Sequence, residues 1–132
     1  MRIEELSVGD WVKTTDKDFR GSRECTIQNI EKWRNNNYVL VVKFKDGSIE
    51  TLGSNCFNPI PLTPEILEKN VIEKTYEGDE YVIYRGTNVT VTKYERSMFW
   101  EFESQRNRVT LEYLHQLQHA LRLAGYQIDI ML

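Results

Sequence analysis

The sequence predicts an α+β fold: an SH3-like small β-barrel over residues 1–62, followed over residues 63–132 by an α-β-β-β-α-β unit with an antiparallel sheet. Three features lead to this prediction. Short apolar segments separated by turn residues fill the first half of the chain, which is typical of a small all-β barrel. A helix-capping sequence begins at Thr63, and a second helical pattern ends at Gly125. No low-complexity linker separates the two parts, so we expect them to pack together as one compact domain.

The strands expected in the barrel follow from β-branched runs and the turns between them. Tyr38–Phe44 is the strongest, because its nearly continuous apolar run suits a central strand covered on both faces. Asp46-Gly47 after it predicts a type I′ hairpin turn, with Ile49–Leu52 as the return strand. Cys25–Trp33 is expected to be a strand with one irregularity. Pro59–Leu62 is expected to be the last strand, at an edge where proline is tolerated.

The second part of the chain is expected to begin and nearly end with a helix. Thr63 is a favourable N-cap, and Pro64 suits the first turn of a helix that ends near Asn70. Thr110 is expected to cap the final helix. The remaining predicted elements are the strands Tyr81–Tyr84, Val89–Thr92 and Met98–Phe102, the helix Leu111–Ala124 and the strand Ile128–Leu132. The last strand can pair in its own sheet or in that of a second copy, which leaves a homodimer open.

Charge and hydrophobicity limit the classes of partner and the cellular location that we expect for the protein. The net charge is −3; residues 1–60 hold nine Lys/Arg and nine Asp/Glu, whereas residues 61–132 hold eight and eleven. The acidic second half argues against nucleic acid, although the neutral first half keeps a nucleic-acid-binding barrel as an alternative. No apolar run approaches the roughly 18 residues that span a bilayer, and the start lacks signal-peptide features, so we expect a cytoplasmic protein. Cys25 and Cys56 are expected to be free thiols.

The pair His115 and His119 is the only motif that suggests an enzyme. Two histidines at i and i+4 can bind zinc together, but the peptidase pattern needs glutamate after the first histidine, and Gln116 stands there. A helical projection places both histidines, with Arg122 and Leu123, away from the apolar face. The alternatives are a solvated helix face and a partner-binding surface, since no third metal ligand is evident. We therefore predict no catalytic residue, no metal, no cofactor and no enzyme.

Aromatic and basic residues alternate on the second sheet. Stacking rings beside guanidinium groups can hold a nucleotide-like anionic ligand, and cross-strand packing is the alternative. The candidates for such a ligand site are Tyr84, Arg85, Tyr94, Arg96 and Trp100.

The barrel has its own aromatic residues and a possible basic rim. We expect its aromatic residues, Trp11, Trp33, Tyr38 and Phe44, to lie mostly in the core. The basic residues Arg20, Arg23, Lys32 and Arg34 are expected to form either a local basic rim or solvated loops.

Three segments resemble a family of small proteins in Bacteroidetes phages, prophages and mobile elements. They are Gly9–Val12, Ile60–Asn70 and Leu114–Gly125, which together span the beginning, middle and end of the chain. The family helix usually continues from Asn into Gly-Phe, whereas Val71-Ile72 follow Asn70 here. The family has no assigned activity, so the resemblance transfers no site residues.

The resemblance implies an accessory protein that acts inside a bacterial host cell. Small accessory phage proteins commonly act by binding, so the predicted function is a non-enzymatic binding protein that blocks a host defence protein. The alternative within the same setting is a sponge that sequesters a nucleotide-derived signal.

Overall fold

The computed structural model of the chain describes residues 2–15, 21–34, 37–105, 107–126 and 129–132. These residues form two compact units, Met1–Ile60 and Pro61–Leu132. Each unit contains a five-stranded antiparallel sheet, and the α-helices are only six and ten residues long. The predicted fold class, an SH3-like barrel followed by an α-β-β-β-α-β unit, is therefore wrong. The chain is mostly β, and the second unit is built on a sheet as large as the first.

The sheet of the first unit has the order β4-β3-β2-β1-β5. Its strands are β1 (Trp11–Thr14), β2 (Glu24–Lys32), β3 (Tyr38–Phe44), β4 (Ile49–Gly53) and β5 (Phe57–Pro59). Short 3₁₀ turns at Ile3–Glu5 and Ser54–Cys56 precede β1 and β5. The last strand, expected at Pro59–Leu62, is therefore found at Phe57–Pro59.

Alternation along the strands builds the core of the first unit. Residues two apart point to one face, and the buried set includes Leu6, Val12, Cys25, Ile27, Leu40, Val42, Phe44 and Phe57. The pairing of β2 with β3 shifts register between Ile27 and Asn29, which is the irregularity that the sequence predicts. Buried polar groups are hydrogen-bonded: Ser7 N donates to the Asp10 carboxylate at 2.8 Å, and Arg23 N donates to Thr14 Oγ1 at 2.9 Å.

The hairpin between β3 and β4 forms at the predicted place with a different turn. Gly47 N donates to Phe44 O at 2.9 Å, and Gly47 has a φ of 90°. A type I′ turn needs positive φ at two residues, and Asp46 is not among the described residues with positive φ. Instead, the Asp46 carboxylate accepts hydrogen bonds from the backbone and hydroxyl of Ser48, and these bonds lower the pKa of Asp46.

The sheet of the second unit is a simple meander with the order β10-β9-β8-β7-β6. Its strands are β6 (Glu73–Glu77), β7 (Tyr81–Gly86), β8 (Val89–Tyr94), β9 (Trp100–Ser104) and β10 (Arg108–Leu111). Helix α1 (Pro64–Lys69) precedes the sheet, and helix α2 (Leu114–Leu123) follows it. Both helix starts are stabilised by side chains: Thr63 Oγ1 accepts from Ile66 N at 3.3 Å, and Gln116 Oε1 accepts from Tyr113 N at 3.0 Å.

Three expectations for the second unit are corrected. The strands β6 and β10 were not predicted, and α2 begins three residues later than the predicted helix because Arg108–Leu111 pairs with β9. Thr110 is consequently a strand residue and not a cap. The predicted final strand is not formed by residues 129–132, and its first residue, Ile128, lies outside the described residues.

Candidate functional site

The β2–β3 hairpin ends in the most exposed of the three tryptophans. Trp33 is 60% exposed, whereas Trp11 is half-buried and Trp100 is buried. Lys32 faces Tyr38 as the last pair of the ladder, and Trp33 N donates to Asn37 O at 2.6 Å. We call Lys32, Trp33, Arg34, Asn37 and Tyr38 the hairpin end. Residues 35–36 lie outside the described part of the chain.

The hairpin end combines an open groove with positive charge. Lys32, Trp33, Arg34 and Asn37 line a groove of about 430 Å³. Lys32 Nζ lies 5.9 Å from the centre of the Tyr38 ring, within the range of a cation–π contact. Among the described residues, neither Lys32 nor Arg34 takes part in an ion pair. The groove therefore offers an indole and two cations to a partner.

The backbone holds this end in place. Seven residue pairs join β2 to β3, and β3 is paired on its other side with β4. A tryptophan on a rigid, paired hairpin loses little conformational freedom when it is buried by a partner. Tryptophan and arginine are also the residues most often found at the energetic centre of protein interfaces. The arrangement therefore suits binding of a protein surface with an apolar pocket and carboxylates at its rim.

The expectation that Trp33 is a core residue is wrong. The sequence did contain a signal, since Trp33 directly precedes the predicted turn Arg34–Asn37, and a residue at a hairpin tip has no sheet to cover it. Of the other expected core aromatics, Phe44 is buried, whereas Trp11 and Tyr38 are half-buried.

Arg23 does not join Lys32 and Arg34 in the expected basic rim. Arg23 directly precedes β2, and Lys32 ends that strand nine residues later, about 30 Å away at roughly 3.3 Å per residue. The guanidinium of Arg23 instead lies 3.9 Å from the centre of the Phe44 ring and 3.3 Å from the Asp46 carboxylate. Arg20 lies outside the described residues.

The predicted aromatic-basic cluster is divided between the two faces of the second sheet. Tyr84 and Trp100 are each 4% exposed, and their ring centres are 5.7 Å apart on the buried face. Strand alternation turns Arg85 to the opposite face, where Tyr94 also lies, and Arg96 is exposed in the turn after β8. Burial raises the pKa of Tyr84. These five residues do not form one ligand surface.

The expectation that His115 lies on a solvated face is also wrong. His115 is 1% exposed, its ring stacks on that of Tyr113 at 5.9 Å, and the ring of His119 meets it edge-on at 5.9 Å. The helical projection assumes a single narrow apolar face. Here the buried residues cover more than half of the circumference of α2, and they include Gln118. His119 is half-buried, and only Arg122 and Leu123 of the predicted surface are exposed.

Cys25 does not offer a nucleophile. Cys25 is buried, and burial raises its pKa to about 12, although the nearby Arg23 lowers it to a smaller extent. A thiol with this pKa is almost entirely protonated at neutral pH, and the thiolate is the reactive form. Cys56 is half-buried, and neither cysteine forms a disulfide.

Within residues 2–15, 21–34, 37–105, 107–126 and 129–132, no three His, Cys, Asp or Glu side chains come together to hold a metal ion. Neither α1 nor α2, nor any other helix in this part of the chain, is long and apolar enough to cross a membrane.

Comparison with known proteins gives one informative similarity. Over 91 residues the chain is 34% identical to Cystatin-A8 of Sus scrofa, and the match covers 62% of this chain and 88% of that protein. No protein-family model matches the chain. No solved structure matches it either.

Proposed function

The chain belongs to the cystatin family, and from this membership we propose that it is an inhibitor that binds and blocks a protease. Cystatins are a family of protease inhibitors. The chain is accordingly not an enzyme, which confirms that prediction from the sequence. The phage setting and the host defence partner remain predictions. The structural observation that supports the proposal is the exposure of Trp33 directly after the last pair of the β2–β3 ladder.

The hairpin end has the physical properties needed to occupy a cleft. A protease cleft is a concave surface, and a blocking protein must present a projecting element that stays ordered in the free state. The β2–β3 ladder continues to its last pair, Lys32 with Tyr38, and the backbone of Trp33 adds one further hydrogen bond, from its N to Asn37 O. Burying a tryptophan removes more apolar surface from water than burying any aliphatic side chain.

The charges of the hairpin end add selectivity. Lys32 and Arg34 are exposed on either side of Trp33. Opposite charges at the rim of an interface speed association, and added salt reduces this effect because it screens their attraction. We therefore propose a target whose cleft has Asp or Glu at its rim, and association that slows as the salt concentration rises.

The proposal is tested by replacing Trp33. The full chain and Trp33→Ala are assayed as inhibitors against a panel of proteases from the main mechanistic classes. Loss of an anchoring tryptophan is expected to weaken inhibition by about thirtyfold or more. Ile49→Ala is the matched control, since Ile49 is 61% exposed on β4 of the same unit, and we expect its inhibition constant to change by less than about threefold.

Each outcome has a separate meaning. If the unmodified chain inhibits a protease and Trp33→Ala inhibits it equally well, the hairpin end is not the contact. If the unmodified chain inhibits no protease in the panel, the proposed function itself is rejected. Circular dichroism of both variants verifies that they remain folded.

A further inference from the structure

Three tyrosines form a row on the outer face of the sheet in the second unit. Tyr81 lies opposite Tyr94 in the β7–β8 register, with ring centres 5.9 Å apart. Tyr76 on β6 stacks on Tyr81 at 5.2 Å with an angle of 30° between the ring planes. Tyr76 is 48% exposed and Tyr94 is 42% exposed. This face is opposite to the one that buries Tyr84. We call Tyr76, Tyr81 and Tyr94 the tyrosine row.

The local backbone positions the first ring of the row. The β6–β7 register shifts between Lys74 and Tyr76. The Tyr76 ring then lies against Gly78, where a Cβ atom would come within 2.6 Å of the Tyr76 hydroxyl and 2.8 Å of its Cε1. Gly78 N donates to Tyr81 O at 3.0 Å, which closes the turn beneath the two rings. A side chain at residue 78 would therefore displace Tyr76 from its stack.

Carboxylates surround this end of the sheet. Glu77, Asp79, Glu80 and Glu95 are all exposed, and Glu95 N donates to Glu80 O at 2.9 Å, which brings the two turns together. Their charge is only partly balanced. Lys74 Nζ lies 3.3 Å from Glu77.

The other nearby cations reduce the negative charge without removing it. Lys93 Nζ donates to the backbone carbonyls of Tyr94 and Ser97, so its charge is held against the sheet. Arg96 is exposed in the turn that follows Tyr94. Strand alternation places Glu77, Lys74 and Lys93 on the other face of the sheet, and Glu101 and the more distant Arg85 on the face of the row. Asp79, Glu80, Glu95 and Glu101 therefore stand against Arg96 and Arg85, and the surroundings of the tyrosine row favour a positively charged ligand.

We propose that the tyrosine row is a docking surface for an arginine- or lysine-bearing segment of a partner protein. The face of a phenol ring attracts a cation, and the surrounding carboxylates add to that attraction. The same carboxylates repel phosphates, so nucleotides and nucleic acids are poor ligands for this face. The surface belongs to the second unit and is independent of the hairpin end, so the proposal goes beyond protease inhibition.

The test is a titration of the full chain with two peptides, followed by NMR. One is an octapeptide of alternating arginine and serine, and the other carries glutamate in place of arginine. We expect the arginine peptide to shift the ring signals of the tyrosine row and the glutamate peptide to leave them unchanged. Tyr94→Leu keeps apolar bulk but removes a ring, and we expect it to weaken binding roughly fivefold.

Two further variants test whether the arrangement of the rings matters. Gly78→Ala is expected to weaken binding by a similar factor, because it displaces the Tyr76 ring. Ile49→Ala, a replacement of an exposed apolar residue in the first unit and outside the hairpin end, is the control and should bind like the unmodified chain. The proposal is overturned if the arginine peptide does not bind, if the glutamate peptide binds as well, or if Tyr94→Leu and Gly78→Ala both bind normally. Protease inhibition, measured in parallel, reports on the hairpin end alone.

Discussion

The side-chain amide of Asn70 forms two hydrogen bonds with the backbone of Met131. Asn70 Nδ2 donates to Met131 O at 2.9 Å, and Met131 N donates to Asn70 Oδ1 at 2.7 Å. Asn70 Nδ2 also donates to Ile66 O at 2.7 Å. One buried amide thus joins the end of α1 to a segment 61 residues away, and the neighbouring Ile130 is 5% exposed.

The first prediction concerns this connection. Asn70→Ala removes the side-chain partner of three hydrogen bonds and leaves backbone groups buried without it, so we expect the free energy of unfolding to fall by about 2–3 kcal/mol. Urea denaturation measures the change. Asn58→Ala, at an exposed position of β5, is the control and should change stability by less than about 0.5 kcal/mol. A loss of similar size in both variants would contradict the role given to Asn70.

The second prediction compares two glycines. A Cβ atom at Gly86 would lie 3.1 Å from Val89 Cγ2 and 3.2 Å from Ile72 Cγ1, and both of these neighbours are buried. Gly86→Ala is therefore expected to lower stability by about 1–3 kcal/mol through overpacking.

Gly53→Ala is the matched control for Gly86→Ala. The nearest atom to a Cβ there is Asn55 Oδ1 at 2.9 Å, at the end of an exposed side chain that can move away. Gly53 has a φ of −63°, which alanine adopts without strain. We expect thermal unfolding of Gly53→Ala to match that of the unmodified chain, and equal melting temperatures for the two variants would refute the packing argument.

The sequence predicts individual elements better than it predicts the fold class. Tyr38–Phe44 was predicted with its observed bounds because its apolar run is dense and β-branched. Strand β6, Glu73–Glu77, is exposed at every position, so it has no apolar alternation to detect. Strand β10, Arg108–Leu111, precedes a helix directly and was merged with it. Without these two edge strands, the predicted second unit has a smaller sheet than the five-stranded one that the structure shows.

The candidate site was harder to predict, since exposure depends on tertiary neighbours. Trp33 and Trp100 both lie in segments predicted to be strands, yet one is 60% exposed and the other 4%. His115 shows the opposite error, because the helical projection places it on the solvated face and the structure buries it. The tyrosine row depends on cross-strand register, which brings Tyr76 next to Tyr81 only after the irregularity in β6. Register over several strands is not encoded in any local pattern.

The third prediction tests the exposure of Trp33 directly. The three tryptophans are replaced one at a time by phenylalanine, and iodide quenching of the remaining fluorescence is measured. Trp33→Phe should show the weakest quenching of the three variants, because Trp33 is the most exposed and lies between Lys32 and Arg34, which attract the anion. Trp100→Phe removes a buried indole and should show the strongest quenching. A reversed order would place Trp33 in the core.

The fourth prediction follows from the pKa of Cys25. Burial raises this pKa from 9.0 to about 12. Between these values the unfolded chain releases the thiol proton and the folded chain keeps it, so unfolding becomes more favourable as the pH rises. The contribution of the buried neutral thiol is complete below about pH 9 and is lost as the pH increases towards 12.

Urea denaturation between about pH 8 and pH 10.5 measures this slope. Other groups titrate in the same range, so the comparison is with Cys25→Ala, which removes only the buried thiol. The unmodified chain is expected to lose stability more steeply than this variant above about pH 9. Cys56→Ala is the second control, and its slope should equal that of the unmodified chain. Parallel curves for the unmodified chain and Cys25→Ala would show that the folded and unfolded forms of Cys25 titrate alike, and that burial does not protect the thiol.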